Sequence, residues 1–503
     1  MSSASSTGWP EADPRLTETT ADAAAAPDAA SSGSFRSLRV RNYRLFAGGQ
    51  LVSLTGTWMQ MTAQDWLVLQ LGGGGVGLGG VLALQFLPTL LFGLYGGVVA
   101  DRVDKRRLLL ITQTCSGVLA AGMAVLVLTG AVTLPMVFVF AGLLGTSNAF
   151  DTPTRQAFVG EMVGADLLPN AVALNSVTFN AARIVGPAVA GVLIGAIGTW
   201  PVFAINSVSY VAVVAGLVRM RVADLRPARR SARQPGQFRE GLGYIRSHRE
   251  ILLPIVLVGI VGTFGLNFPV TLALMARDTF SGSAATYGSF TSSVAVGSLV
   301  GAVLATRRKE ISFRLLLGAA IVFGLAEALA GLMPTKVLFM LLLVPTGAAV
   351  LTFTTAANAT VQLAAGEQMR GRVMSFYILV FLGTTPLGAP LIGLLSEHAG
   401  ARAGLVVGGL LCAGSAVVVA LLLRRHLARD AAAAAQISSQ PPASKDPDAT
   451  SSTLDAARRS PTVAATPFRR SQESDVSSPD SATASADRAA PSGTDEAATP
   501  RAS

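Results

Sequence analysis

The chain has 503 residues, of which 51% are hydrophobic, 14% are charged and 52 are glycine, whereas soluble domains carry roughly 25% charged residues. That is the composition of a membrane protein. The formal net charge of +10 does not indicate nucleic acid as a partner. The Lys and Arg residues collect in short loops beside apolar runs, where cytosolic retention and anionic lipid account for them. The only cysteines, Cys115 and Cys412, lie in distant apolar runs. They read as small buried side chains, which excludes a disulfide framework and redox chemistry.

In chain order, residues 1–34 lack a basic n-region and an apolar stretch, so membrane insertion is expected to begin at the first span and not at a secretory signal. Apolar runs of about 20 residues follow, each long enough to cross about 30 Å of hydrocarbon as helix. Spans are predicted at Arg44 to Leu71, Val76 to Ala100, Leu108 to Gly130, Leu134 to Phe150, Ala171 to Ile197 and Trp200 to Val218. After a polar, basic stretch, six more are predicted at Ile251 to Met275, Ala284 to Thr306, Phe313 to Met333, Val337 to Ala357, Val373 to Leu395 and Ala401 to Leu423. The expectation is an all-α integral membrane fold of twelve transmembrane helices. Residues 35–218 form a first six-helix bundle, 219–250 a cytoplasmic basic linker and 251–425 a second bundle. The tails, 1–34 and 426–503, are too poor in aromatic and branched residues to order themselves.

Loop charge alternates strongly. One set of loops holds Arg36, Arg39, Arg41 and Arg44, Arg102 to Arg107, Arg155, the Arg219 to Arg249 stretch, Arg307 to Lys309 with Arg314, Arg370 and Arg372, and Arg424 with Arg425. The other set holds Arg277, Lys336 and Arg402. The rule that cytoplasmic loops retain Lys and Arg then places both termini in the cytoplasm. High Ala, Gly and Arg usage fits a GC-rich bacterial genome and a cytoplasmic membrane.

A weak internal repeat supports the two halves. Asp151-Thr-Pro-Thr-Arg-Gln156 leads on to Gly186-Pro187-Ala-Val-Ala190-Gly191, and Asn358-Ala-Thr-Val-Gln362 leads on to Pro386-Leu-Gly-Ala-Pro390-Leu-Ile-Gly393. Parallel six-helix repeats are one way in which secondary transporters enclose a central cavity.

The most specific local signal is Gly97-Val-Val-Ala-Asp101-Arg102-Val-Asp104-Lys105-Arg106-Arg107. It resembles the signature loop of the major facilitator superfamily, with Asp104 where glycine is usual. The loop's glycine is expected to let helices approach, its Asp to sit at a neighbouring helix N-terminus, and its arginines to meet carboxylates across the seam between halves. Gly186-Pro187-Ala-Val-Ala190-Gly191 resembles the Gly-Pro-x-x-Gly-Gly element of the family's antiporters, and ordinary small-residue packing is the other reading. Further segments are Asn42-Tyr43-Arg44, Gln64-Asp65-Trp66-Leu67-Val68-Leu69, Asp151 to Phe158, Asn180 to Pro187 and Arg370-Gly-Arg-Val-Met374. Together they resemble the superfamily's exporter branch, which includes enterobactin and macrolide efflux proteins. The resemblance covers about Phe35 to Arg425. It implies proton-coupled export of small amphipathic compounds such as drugs, siderophores or secondary metabolites, by alternating access. Import or facilitated passage of a metabolite is the alternative in the same fold.

Charges inside spans are costly and usually face a cavity or a partner. Asp65, beside Gln60 and Gln64, can load a proton from outside, or form a buried ion pair, or lie near the outer interface. Arg183 can bind an anionic substrate or hold a carboxylate, with the structural partner favoured by its place in the packing motif. Glu327 is the second candidate for a proton-coupling carboxylate. Asp151 and Arg155 are expected at the cytoplasmic mouth as a gate with the Asp101 loop. Gln60, Gln64, Gln85, Asn180 and Asn267 are candidates to line the cavity, or to bond between helices. The expected partners are a small-molecule substrate, protons and the bilayer, with the chain acting as a monomer. No cofactor or metal is expected, because the sequence has no phosphate-binding loop, zinc-protease or serine-hydrolase motif, so the chain does not read as an enzyme.

Overall fold

The computed structural model describes residues 35–226, 237–308 and 312–439, and the described residues are helical with no strand. The tail residues 1–34 and 440–503, and Lys309 of the basic set, lie outside the described residues. The described residues from Phe35 to Asp430 fall in one compact unit. In the remaining unit, 431–503, helix continues as far as Ser439.

The first set of helices is α1 (Arg41–Gln70), α2 (Gly74–Arg102), α3 (Lys105–Leu128), α4 (Leu134–Val163), α5 (Leu168–Ile197) and α6 (Trp200–Val218). A short amphipathic helix, α7 (Gln237–Ser247), follows within the stretch expected to be a linker. The second set is α8 (Arg249–Phe264) with α9 (Phe268–Leu274), α10 (Ala284–Thr306), α11 (Phe313–Gly331), α12 (Lys336–Ala364), α13 (Arg370–Ala399) and α14 (Ala401–Ser439). The seventh expected span is therefore interrupted at Gly265 to Asn267, and it ends in a π-helical turn, Met275–Thr279.

Local chemistry accounts for several helix ends. Asp104, Ser312 and Thr335 cap α3, α11 and α12, each side chain accepting from the backbone N–H three residues on, which satisfies one of the donors a helix start leaves unpaired. Proline stands in the first turns of α4, α5 and α6, where its missing N–H costs nothing. Gly198 and Gly400, both at φ +89°, end α5 and α13 and let the chain reverse at once into the next helix.

Eleven of these helical segments are long and apolar enough to cross a membrane. The remaining expected span, α1, is 30 residues long but carries Gln50, Ser53, Gln60, Thr62, Gln64 and Asp65 among its buried residues. It tolerates them because it packs against α5 and α6 as well as α2 and α4, so its polar groups face protein and not lipid. Outward faces are apolar, as at Val208, Leu341 and Leu387, and suit hydrocarbon.

The helices pair alike in the two sets. α2 packs on α4 as α10 does on α12, and α1 on α5 as α8 does on α13. α3 packs on α6, and α11 meets α14 where Gly324 faces Gly409 and Ala413. This is the two-bundle arrangement expected of the major facilitator fold. Two corrections concern length. α4 runs through Pro153 to Val163, well past Phe150, and α12 runs to Ala364, past Ala357. At about 1.5 Å per residue, a helix of 30 residues outreaches the hydrocarbon. The Asp151–Arg155 motif is therefore helical and not a loop.

The sets meet along two seams, α2 with α13 and α5 with α10. Backbone touches backbone there. Gly75 faces Gly393, a Cβ on Gly79 would lie 2.5 Å from the Ala389 carbonyl, one on Gly191 would lie 2.7 Å from that of Ala284, and one on Gly288 would strike that of Pro187. With no hydrophobic drive between helices in lipid, such van der Waals contact is what joins them. Overpacking costs about 1–3 kcal/mol, so Gly288→Leu is expected to lower the thermal midpoint and speed thiol labelling of a cysteine placed at Ser283. Gly122→Leu, at a site with nothing within 4 Å, is the control and should leave both unchanged.

Candidate functional site

Both seams close at the end away from the basic loops. Near that end Asp65, only 4% exposed, accepts a hydrogen bond of 2.6 Å from the hydroxyl of Tyr287 on α10. The Val76 N–H donates to Glu397 of α13 at 2.8 Å, and Arg277 donates to the Leu69 carbonyl. Each joins one helix set to the other. Further in, the Ser292 hydroxyl donates to the Ile184 carbonyl at 2.7 Å, and the Leu90 side chain lies 3.3 Å from where a Cβ of Gly383 would sit.

At the basic end, polar contacts among the described residues stay within one set. Asp151, 2% exposed, pairs with Arg155 at 2.6 Å and accepts from Thr112 at 2.8 Å and Gln113 at 2.7 Å. Arg155 also donates to Gln50 at 3.1 Å. Asp151 and Arg155 thus form a buried cluster that ties α4 to α3 and α1, and not a gate with the Asp101 loop as expected. Thr112 and Gln113 both donate to Oδ1, and the Arg155 ion pair falls on Oδ2.

The signature loop also departs from expectation. A Cβ at Gly97 would meet nothing within 4 Å, and the close approach falls on Gly96, against the Ala149 backbone of α4. Arg106 donates to the Leu217 carbonyl at 2.7 Å and to that of Val218 at 3.1 Å, so it caps the end of α6 where the helix dipole favours a cation. Lys105 pairs with Glu161 at 2.7 Å. Neither side chain reaches across the seam. Asp101 and Arg102 are exposed. Asp104, where glycine is usual, accepts from the Arg107 N–H at 2.9 Å and starts α3.

The Gly-Pro element serves two contacts at once. A Cβ on Gly186 would lie 2.6 Å from the Cβ of Trp58 on α1, while Pro187 and Gly191 face α10. Arg183, one turn nearer the basic end, holds no carboxylate among the described residues. Its guanidinium lies over the Trp58 ring, 5.9 Å from the centroid, which corrects the expected ion pair.

The cavity candidates divide. Gln60 is 2% exposed and accepts from Asn206 at 2.7 Å, so it bonds between helices. Gln64 and Asn267 are buried, with Gln64 Nε2 and Asn267 Oδ1 unpartnered. Asn267 lies at the interruption between α8 and α9 and donates to the Thr263 carbonyl. Gln85 is buried on α2, where its backbone meets Gly145 of α4. Asn180 is partly exposed and donates back to the Ser176 carbonyl. Glu327 is buried inside the second set with Oε2 unpartnered, remote in sequence from the Asp65 contact and on a helix that packs on α12 and α14. Cys412 is buried, but Cys115 is exposed, contrary to expectation, because α3 turns that face outward.

Comparison with known proteins agrees with this architecture. The profile of a family described as transmembrane secretion effector matches residues 32–454. The chain belongs to that family of the major facilitator superfamily. It is 26% identical over 260 residues to the staphyloferrin A transporter of Staphylococcus aureus, a match spanning 51% of this chain and 65% of that one, just under two thirds of its length. It is 26% identical over 370 residues to the multidrug efflux pump Tap of Mycolicibacterium fortuitum, spanning 71% of this chain and 90% of the pump. In fold it is similar to a bacterial homolog of the human lysosomal transporter Spinster in an inward-facing, occupied conformation, at a TM-score of 0.62 and 13% identity, covering 78% of this chain and 98% of that one.

The chain is a multi-pass membrane protein with the fold of a transporter. Its structure adds partners that sequence reasoning missed: Tyr287 for Asp65, Glu161 for Lys105, Thr112 and Gln113 for Asp151, and Trp58 for Arg183. Breaking a buried pair on one side costs about 3–5 kcal/mol. Arg155→Ala is therefore expected to lower the thermal midpoint more than the double substitution Asp151→Asn with Arg155→Ala, which removes the orphaned charge as well. Asp104→Ala should cost about 1 kcal/mol through loss of the α3 cap, read in the same melting experiment.

Proposed function

We propose that this transporter is a proton-coupled exporter of small amphipathic compounds, with Asp65 as the coupling carboxylate. The observation that carries the reading is the buried Asp65–Tyr287 hydrogen bond, which joins the two helix sets at their sealed end. The charge rule assigns the basic loops to the cytoplasm and the sealed end to the outside. The bundles, residues 35–218 and 251–425, then rock about the seams in a single chain, and the pathway is complete within a monomer of the cytoplasmic membrane.

Opening toward the outside must separate Asp65 from Tyr287 and hydrate the carboxylate. Closing over an ionised carboxylate costs several kcal/mol, so a proton taken up from outside favours return to the sealed state. A protonated Asp65 can still accept the Tyr287 hydroxyl through its second oxygen. Release of that proton toward the cytoplasm readies the site for another substrate, and the proton gradient drives export. The names of its relatives, a siderophore transporter and a multidrug pump, support substrates of this kind.

In everted vesicles, uptake of a panel of fluorescent amphipaths should depend on the proton gradient and collapse with an uncoupler. Asp65→Asn, neutral throughout, should abolish gradient-driven uptake while leaving membrane insertion intact. Uptake that survives the uncoupler would replace export by facilitated diffusion, and full activity in the Asn variant would remove Asp65 from the coupling step.

A further inference from the structure

Several basic side chains within or beside the spans are spent on groups of the chain itself. Arg402 donates to the Gly331 and Met333 carbonyls, Arg277 to that of Leu69, Arg106 to those of Leu217 and Val218, and Arg155 to Asp151 and Gln50. Arg183 is different. It lies well within α5, 15 residues from the start of a 30-residue helix by its place in the segment, where a cation is costly unless a partner or a watered cavity receives it. Among the described residues it has neither a carboxylate nor a carbonyl partner, and its one recorded contact is the face of Trp58.

The surroundings are organised. Trp58 is fixed from behind, because its Cβ meets Gly186. Phe179, one turn nearer the basic end and exposed, stands edge-on to it with centroids 5.7 Å apart and planes at 74°. The Gly186 contact with α1 and the Pro187 contact with α10 both lie on the sealed side of Arg183. The negative group further along α1, Asp65, is engaged by Tyr287. A guanidinium stacked on a ring keeps the N–H groups of its edge free, in the fork geometry that matches a carboxylate or phosphate.

We infer that Arg183 binds the anionic group of an amphipathic substrate, whose apolar part lies on Trp58 and Phe179. The inference rests on the reading of the chain as a transporter of amphipathic compounds, and it narrows that class to compounds carrying a carboxylate or similar oxyanion. Direction and proton coupling do not enter it. Arg183 contributes charge and bidentate geometry, and the two rings contribute flat apolar surface at low entropic cost.

The test is equilibrium binding to the full-length protein in nanodiscs, using three naphthalene probes of one shape: 1-naphthoate, 1-naphthalenemethanol and 1-naphthylmethylamine. Wild type is expected to bind the carboxylate about tenfold more tightly than the alcohol, as a charge-assisted bidentate bond provides, and the amine least. Arg183→Gln should bring the carboxylate down to the alcohol's affinity. Arg183→Lys, which retains the charge without the planar fork, should keep part of the preference, and Trp58→Leu should weaken all three probes. Equal binding of carboxylate and alcohol by wild type overturns the inference, as does a preference that persists in Arg183→Gln. Should the Gln variant fail to fold, the wild-type ranking and the Lys variant decide it. A carboxylate preference alongside gradient-independent uptake in vesicles would sink the antiport reading and leave the anion site standing.

Discussion

Backbone contact at the two seams is the constraint on which everything else depends. In lipid there is no apolar driving force to hold one helix bundle against another, so close van der Waals approach must do it. Gly75 on Gly393 and Pro187 on Gly288 bring main chains together with no side chain between them. Contacts of this kind are short-ranged, and they are lost together when the helices part. Two rigid bundles that touch this way have discrete arrangements and few intermediate ones, which is what alternating access requires.

The polar chemistry is arranged around that constraint. At the sealed end every bond that crosses between sets would break on opening: Tyr287 to Asp65, Val76 to Glu397, Arg277 to Leu69. At the basic end the ion pairs Lys105–Glu161 and Asp151–Arg155 each stay within one bundle and hold its shape whichever way the protein faces. The short helix α7 belongs to this second kind. Glu240 pairs with Arg372 at 2.7 Å and Gly241 lies against the same side chain, so α7 is anchored on the start of α13.

The resemblance to exporters gave several segments tasks that the structure distributes differently. Gly97 was expected to permit close approach, and its neighbour Gly96 does so, because the last turn of α2 presents that face to α4. The departure at Asp104 turns out to have its own purpose as a helix cap. Asp151 and Arg155 are four residues apart on a continuous helix and so face one another, a relation hidden as long as the segment reads as a loop.

The sequence by itself determined the number and order of the spans, the alternation of charge, the repeat, the family and the short list of intramembrane charges. All of these follow from local composition or short spacing, which the hydrocarbon thickness and helix geometry translate directly into structure. Only the tertiary structure decided which charge meets what. Asp65 finds Tyr287 at a separation of 222 residues, Lys105 finds Glu161 at 56, and Arg183 finds a tryptophan ring where a carboxylate was expected. Such partners are set by how helices rotate and tilt against one another. That is settled by which faces carry glycine at a seam, a property of pairs of helices that one stretch of sequence does not contain.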